Sequence, residues 1–166
     1  MSAKNKLVLE WVIFIVVLDQ ATKFVVDQML PLTIPIPVIE DLFNLTYVRN
    51  PGAAFGILAD SHEFFRRSLL IGFPLVAVGF IAAMLRRLPE EEIWLITALS
   101  FVMGGAVGNL IDRIFYGEVI DFLDFYWSIY HWPAFNVADS FISVGVVMIV
   151  YSLILAKGQD PFASRS

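Results

Sequence analysis

The stretch Ser68–Ile111 reads SLLIGFPLVAVGFIAAML, then RRLPEEE, then IWLITALSFVMGGAVGNLI. Two apolar runs, Ser68–Leu85 and Ile93–Ile111, carry no formal charge and flank a polar turn with Arg86, Arg87, Pro89, Glu90, Glu91 and Glu92. A helix rises about 1.5 Å per residue, so runs of this length cross the roughly 30 Å of hydrocarbon in a bilayer. So short a turn makes the two helices antiparallel. The stretch reads as a hairpin that crosses a membrane twice.

Working outward, two more runs reach spanning length, Leu7–Val26 before the hairpin and Ser140–Ala156 after it. Only the first is charged within its length, by Glu10, Asp19 and Lys23. The expectation is a single membrane-embedded domain over residues 1–166, with spans at 7–26, 68–85, 93–111 and 140–156. Composition agrees: 58% of residues are hydrophobic and 16% charged, too few charges to clothe a soluble domain this small. Lys4 and Lys6 precede the first run as in a signal peptide, but no small-x-small cleavage site follows, so the run is expected to stay as a span. An even number of spans puts both termini on one side. Lys4, Lys6, Arg86, Arg87, Lys157 and Arg165 then share the cytoplasm, and Lys23, Arg49, Arg66, Arg67 and Arg113 lie toward the outer face, a slight positive-inside bias.

A net charge of −5 leaves no basic footprint for nucleic acid. Cysteine is absent, which excludes disulfides, thiolate metal sites and a cysteine nucleophile. His62 and His131 have no second ligand at a metal-binding spacing, so neither metal nor cofactor is expected.

The connections on the outer side have structure of their own. Phe43–Val48 alternates as a half-buried strand does, and Asn50-Pro51-Gly52 ends it in a turn. Ile34–Val38 is extended, but its prolines bar it from the middle of a sheet. A small sheet on the outer membrane surface follows. Nine aromatics in Phe115–Phe135 suit the headgroup interface. The fold class is an all-α integral membrane protein with a small β element and an interfacial aromatic segment.

Acids beside a membrane are costly and ask for a reason. Asp121 follows the third span and Asp139 opens the fourth; antiparallel spans bring those ends together. Two close carboxylates share a proton, one acting as acid and the other as base, which suffices for peptide hydrolysis. Helix capping by Asp139 and solvation of Asp121 in a loop are equally good readings of the spacing, and Asp124 is a decoy for the second acid. Ser100, Gly104 and Gly108 form a small-residue packing face. Gly105, Asn109 and Arg113 follow one another at i+4 beside Asp112. Arg113 suits a substrate carbonyl, a lipid headgroup or pairing with Asp112. Asp19 and Lys23, at i and i+4, read as a structural ion pair.

Five motifs carry a resemblance: Leu18-Asp19-Gln20-Ala21-Thr22-Lys23, Arg49-Asn50-Pro51-Gly52-Ala53-Ala54-Phe55, Gly108-Asn109-Leu110-Ile111-Asp112-Arg113, Val119-Ile120-Asp121-Phe122 and Phe135-Asn136-Val137-Ala138-Asp139-Ser140. In this order among four spans they resemble the lipoprotein signal peptidases (signal peptidase II). Pro51, where the family commonly has threonine, is a small departure. The resemblance implies four transmembrane helices, an extracytoplasmic β-cradle and a membrane-lying helical segment. It also implies a bacterial inner-membrane enzyme that cuts a prolipoprotein just before its diacylglyceryl-modified cysteine. Asp121 and Asp139 match the catalytic dyad. Asn50, Asn109, Arg113 and Asn136 match substrate-site positions, with Asp19, Lys23 and Asp112 in support. Globomycin-type peptides are implied as inhibitors.

A proton-coupled transporter or channel is the main alternative, but it calls for mid-membrane charges and an internal repeat. The acids gather at the outer ends and no repeat is visible. A serine protease would need a histidine within the helices, and a zinc protease a second histidine after His62-Glu63.

Overall fold

The computed structural model describes residues 1–52, 58 and 62–158, and the side chains up to residue 154. Ala53, Ala54 and Phe55 of the second motif, and Arg165, lie outside the described residues. In chain order the elements are α1 (Ala3–Met29), β1 (Ile36–Ile39), β2 (Phe43–Asn50), α2 (Glu63–Arg87), α3 (Ile93–Phe115), β3 (Val119–Trp127), β4 (Tyr130–His131) and α4 (Val137–Gly158).

Each helix outruns its expected span, because caps and ion pairs prolong it past the apolar run. Ser2 Oγ accepts the Asn5 N–H and starts α1. Glu63, in the first turn of α2, pairs with Arg67 at 3.1 Å. Arg66 and Arg67 therefore belong to a helix and not to the connection in which the sequence placed them. At the other end of α2, Lys4 Nζ donates to the Leu88 carbonyl at 2.7 Å, tying α1 to the start of the polar turn. Among the described residues α2, α3 and α4 are long and apolar enough to cross a membrane.

Helix α3 is the central element and packs against the other three. Its Ser100, Gly104 and Gly108 are buried, the close-contact face expected from their spacing, and Gly105 is buried beside them. The small size of Gly108 has a specific reason: a Cβ there would lie 2.7 Å from Asp19 Oδ2 on α1. Ile81 and Leu85 of α2 pack with Ile96 and Leu99 of α3, which closes the end of the bundle around the polar turn.

At the opposite end the four strands form one antiparallel sheet in the order β1-β2-β3-β4. Pro37 sits in edge strand β1, where its missing N–H costs least. Val26 of α1 packs with Tyr47, Ile120 and Phe122 and seats the sheet on the helices.

The aromatic connection differs from its sequence reading. Phe115–Phe135 holds nine-residue β3 and the short β4, where no strand was expected. Its pattern hid the strand, because Val119–Asp124 is buried or half-buried on both faces, so apolar and polar residues do not alternate. Separate from the four long helices, no membrane-lying helix occurs among the described residues.

Candidate active site

Two polar clusters lie where the helices meet the sheet. The deeper one is built on Lys23. Its ammonium reaches Asp19 Oδ2 and Asp112 Oδ2, each at 2.8 Å, and donates to Asn109 Oδ1 at 2.9 Å. An ammonium has three N–H bonds, and all three are used. Asp19 Oδ1 also accepts the Ala138 N–H at 3.0 Å, so a carboxylate from α1 caps the first turn of α4. Asp112 Oδ2 accepts the Ile120 N–H at 3.3 Å, which ties α3 to β3. Gln20 completes the cluster by donating to Asp112 Oδ1 at 2.8 Å and to the Gly108 carbonyl at 3.2 Å. Asp112 pairs with Lys23; no ion pair with Arg113 occurs among the described residues.

The second cluster borders a cavity of about 800 Å³, whose wall includes Asn50, Asn109, Arg113, Asp121 and Asp139. Asp121 is carried by β3 and is 3% exposed. Its Oδ2 accepts from Asn50 Nδ2 at 3.0 Å across the β2–β3 ladder, and its Oδ1 from Asn136 Nδ2 at 2.8 Å. Burial pushes the Asp121 carboxyl up to about 7; the nearby Asp139 charge adds to this and the Asn50 and Asn136 amides oppose it. Asp139 sits in the first turn of α4 in a reciprocal cap. Asn136 Oδ1 accepts the Asp139 N–H at 3.0 Å, and Asp139 Oδ2 accepts the Asn136 N–H at 3.2 Å. Its other oxygen accepts from Asn109 Nδ2 at 2.7 Å. Asp139 is thus both a helix cap and a cavity residue. Neither Asp121 nor Asp139 forms an ion pair with a described cation.

Asn136, matched by the resemblance to a substrate-site position, sits behind the cavity wall. It is fully buried, and its amide is spent on Asp121, Asn109 Oδ1 and the Ile120 carbonyl. It holds the acids in place and is not part of the cavity wall. Arg113 does reach the cavity, where its Nη2 donates to the Gly52 carbonyl at 3.2 Å. Its Nε is buried without a hydrogen-bond partner among the described residues.

Asp124 lies apart. Three residues beyond Asp121, it leaves the opposite face of the strand. Asn44 Nδ2 donates to it at 2.9 Å, and His131 Nδ1 lies 2.8 Å from it. The sequence reading passed over Gln20, the Gly52 carbonyl and the steric need for Gly108. Gln20 had a signal, because it adjoins Asp19 inside a quoted motif.

The fold and this cavity define a helical membrane protein with a site built on paired carboxylates. A family model described as Signal peptidase (SPase) II matches residues 11–155. The chain is 51% identical over 138 residues to a lipoprotein signal peptidase of Geobacter sulfurreducens, covering 83% of this chain and 85% of that one. With the lipoprotein signal peptidase of Vibrio cholerae it shares 49% over 122 residues, 74% of this chain and 71% of the relative. A solved bacterial membrane enzyme, determined by the in meso method at 2.3 Å, superposes with a TM-score of 0.82 at 29% identity, over 93% of this chain and 92% of its own. The chain belongs to the signal peptidase II family, and membership makes it a protease of lipoprotein processing.

Proposed function

We propose that the chain is an aspartic endopeptidase of the bacterial inner membrane. It removes the signal peptide of diacylglyceryl-modified prolipoproteins by cutting just before the lipidated cysteine. One observation carries the dyad: Asp121 and Asp139 share a cavity, are oriented by the same Asn136, and are held by amides without an ion pair to a described cation. Among the described residues, Asp19, Asp112, Asp121 and Asp139 have two cations beside them, Lys23 and Arg113. Four carboxyl groups against two cations favour keeping one proton, and the raised Asp121 is its natural holder.

In this mechanism Asp139 takes a proton from water, whose oxygen attacks the scissile carbonyl carbon. Asp121 gives its proton to the carbonyl oxygen, and the resulting tetrahedral diol collapses as the leaving amine is protonated from the dyad. The guanidinium of Arg113, in the cavity wall with Nη2 on the Gly52 carbonyl, suits a substrate carbonyl beside the cut. Asn50 and Asn109 line the cavity while orienting the acids, and Asn136 positions both acids from behind.

The topology belongs to the same reading. Helix α1 has 27 residues and buries Asp19 and Lys23 against α3, while Ile13, Val17, Phe24 and Val25 face outward. It serves as the fourth span of a single domain. Both termini lie in the cytoplasm and the dyad near the outer face, where a diacylglyceryl group stays in hydrocarbon. Each buried methylene contributes about 0.8 kcal/mol, so the two acyl chains hold the substrate at that depth. Peptides of the globomycin type would occupy the same cavity as inhibitors.

The test uses purified protein and one prolipoprotein with and without its diacylglyceryl group, in the same lipid. Release of the signal peptide is expected only from the lipidated form. Equal rates would leave a general membrane-surface peptidase, and no cleavage of either would remove the assignment.

A further inference from the structure

Strands β2 and β3 pair in two phases. Phe43, Asn44 and Leu45 face Phe125, Asp124 and Leu123, whereas Val48, Arg49 and Asn50 face Asp121, Ile120 and Val119. Thr46 and Tyr47 therefore stand together against Phe122 alone, and β2 bulges by one extra residue. Directly paired residues share a face of the sheet, and a slip of one residue sends every later side chain to the other face. Beyond the bulge Asn50 lies on the face of Asp121, to which its amide donates, and Arg49 lies on the opposite face. A straight ladder would continue the first phase, with Tyr47 opposite Asp121 and Arg49 opposite Val119, the place that Asn50 holds. The bulge is pinned on the face turned to α1. The Tyr47 ring packs with Val26, Ile120 and Phe122, its hydroxyl donates to Asp27 Oδ1, and its carbonyl accepts the Thr33 N–H at 2.9 Å. Arg49 closes the pin: Nε donates to the Tyr47 hydroxyl at 2.7 Å, and Nη2 and Nη1 pair with Asp27 at 3.0 Å and Glu118 at 3.2 Å.

We propose that the Tyr47 bulge is a register device for the active site. Asp27, Tyr47 and Arg49 are positioning residues that hold β2 in the phase placing the Asn50 amide, and not the Arg49 guanidinium, beside Asp121. The two candidates are neighbours in the chain, so only the phase of the strand decides between them. The choice matters to the chemistry. A fixed cation beside a carboxyl favours its ionised form, and an ionised Asp121 has no proton to give. A neutral amide orients the same carboxyl and leaves it free to hold or release one.

The catalytic consequence rests on the proposed peptidase activity, but the register can be read without it. The chain lacks cysteine, so Val48→Cys with Ile120→Cys reports the phase. These positions oppose each other in the straight ladder and lie on opposite faces in the bulged one. Under mild oxidation the pair stays unlinked with the pin intact, and links once Asp27→Ala and Tyr47→Phe remove it. On lipidated prolipoprotein, Asp27→Ala with Tyr47→Phe lowers kcat about tenfold, as loss of roughly one hydrogen bond predicts, with KM within about twofold. Adding Arg49→Asn restores kcat, because an amide then stands opposite Val119 in either phase. A pin that served stability alone would instead be weakened further by that third change. Tyr47→Phe alone, which keeps the buried ring, moves both readouts the same way by less. A link with the pin intact, no link without it, an unchanged kcat, or no restoration by Arg49→Asn would each overturn the register device. Wild type that does not cleave would remove the peptidase reading and leave the linking result to decide the register.

Discussion

The two acidic clusters use the same side chains to opposite ends. Around Lys23, two carboxylates, one ammonium and two amides satisfy one another, and Asp19, Lys23 and Asp112 are 0%, 2% and 1% exposed. Around the cavity, the two carboxylates accept from neutral amides among the described residues, and open space lies beside them. A buried charge matched by an opposite charge is inert, because moving its proton would strand the partner. A carboxyl held by amides can change protonation more cheaply. In the proposed reading the cavity cluster carries the chemistry, whereas the Lys23 cluster joins α1, α3 and α4.

That contrast is easiest to break by removing charge from each side. Asp121→Asn and Asp139→Asn should each lower cleavage by about a thousandfold or more, since one acid cannot both take and give the proton. Both proteins should retain near wild-type melting temperatures. Substantial activity in either, measured on lipidated prolipoprotein, would move the chemistry elsewhere. Lys23→Met should do the reverse in kind: it leaves Asp19 and Asp112 buried without their cation, at a cost of about 3–5 kcal/mol. Melting in detergent should show it as a large drop. Little change would mean that the cluster is not the joint it resembles.

The pH dependence sharpens the same line. The folded carboxyl of Asp121 lies at about 7, above its ordinary 3.8. Between those values the folded state keeps a proton that the unfolded chain has lost. Stability from this group is therefore full below about 4, falls as pH rises toward 7, and is flat beyond, at about 1.4 kcal/mol per unit within the window. Cleavage should also fall as pH rises through about 7, when the acid of the dyad ionises. Asp121→Asn should flatten this part of the melting profile. An unchanged slope would assign it to another group.

How much of this was legible in the sequence differs by element. The hairpin of α2 and α3 was plain, because an uninterrupted apolar run has few other meanings. Strand β2 showed through its alternation, and β1 through prolines that only an edge tolerates. Strand β3 did not, since both its faces are covered and its two aspartates looked like loop acids. The pair Asp121 and Asp139 was chosen over Asp124 from helix ends and motif order, and the cavity excludes Asp124. The partners of those acids were out of reach, because Asn50, Asn109 and Asn136 meet only after two turns of chain are folded. That Asn136 lies behind the cavity wall, bonded to Asp121 and Asn109, needed its burial to be seen.

The smallest expected effect tests whether the Lys23 cluster depends on charge or merely on having every bond made. Gln20 is neutral, yet it spans the cluster by bonding to Asp112 and to the Gly108 carbonyl. Gln20→Ala removes those donors and leaves both ion pairs of Lys23 intact. Asp112 Oδ1 then loses its amide partner, but its charge is still met by the ammonium through Oδ2. Gln20 also donates to Asp19 Oδ2 at 3.2 Å; a hydrogen bond to a charged group contributes about 1.5–3 kcal/mol, and bonds to carboxylates already met by the Lys23 ammonium belong at or below the low end. The melting temperature should fall clearly less than in Lys23→Met, with cleavage nearly unchanged. If Gln20→Ala were as damaging as Lys23→Met, the cluster would behave as one indivisible network. The distinction between a charge-matched joint and an amide-held dyad would then rest on the cavity alone.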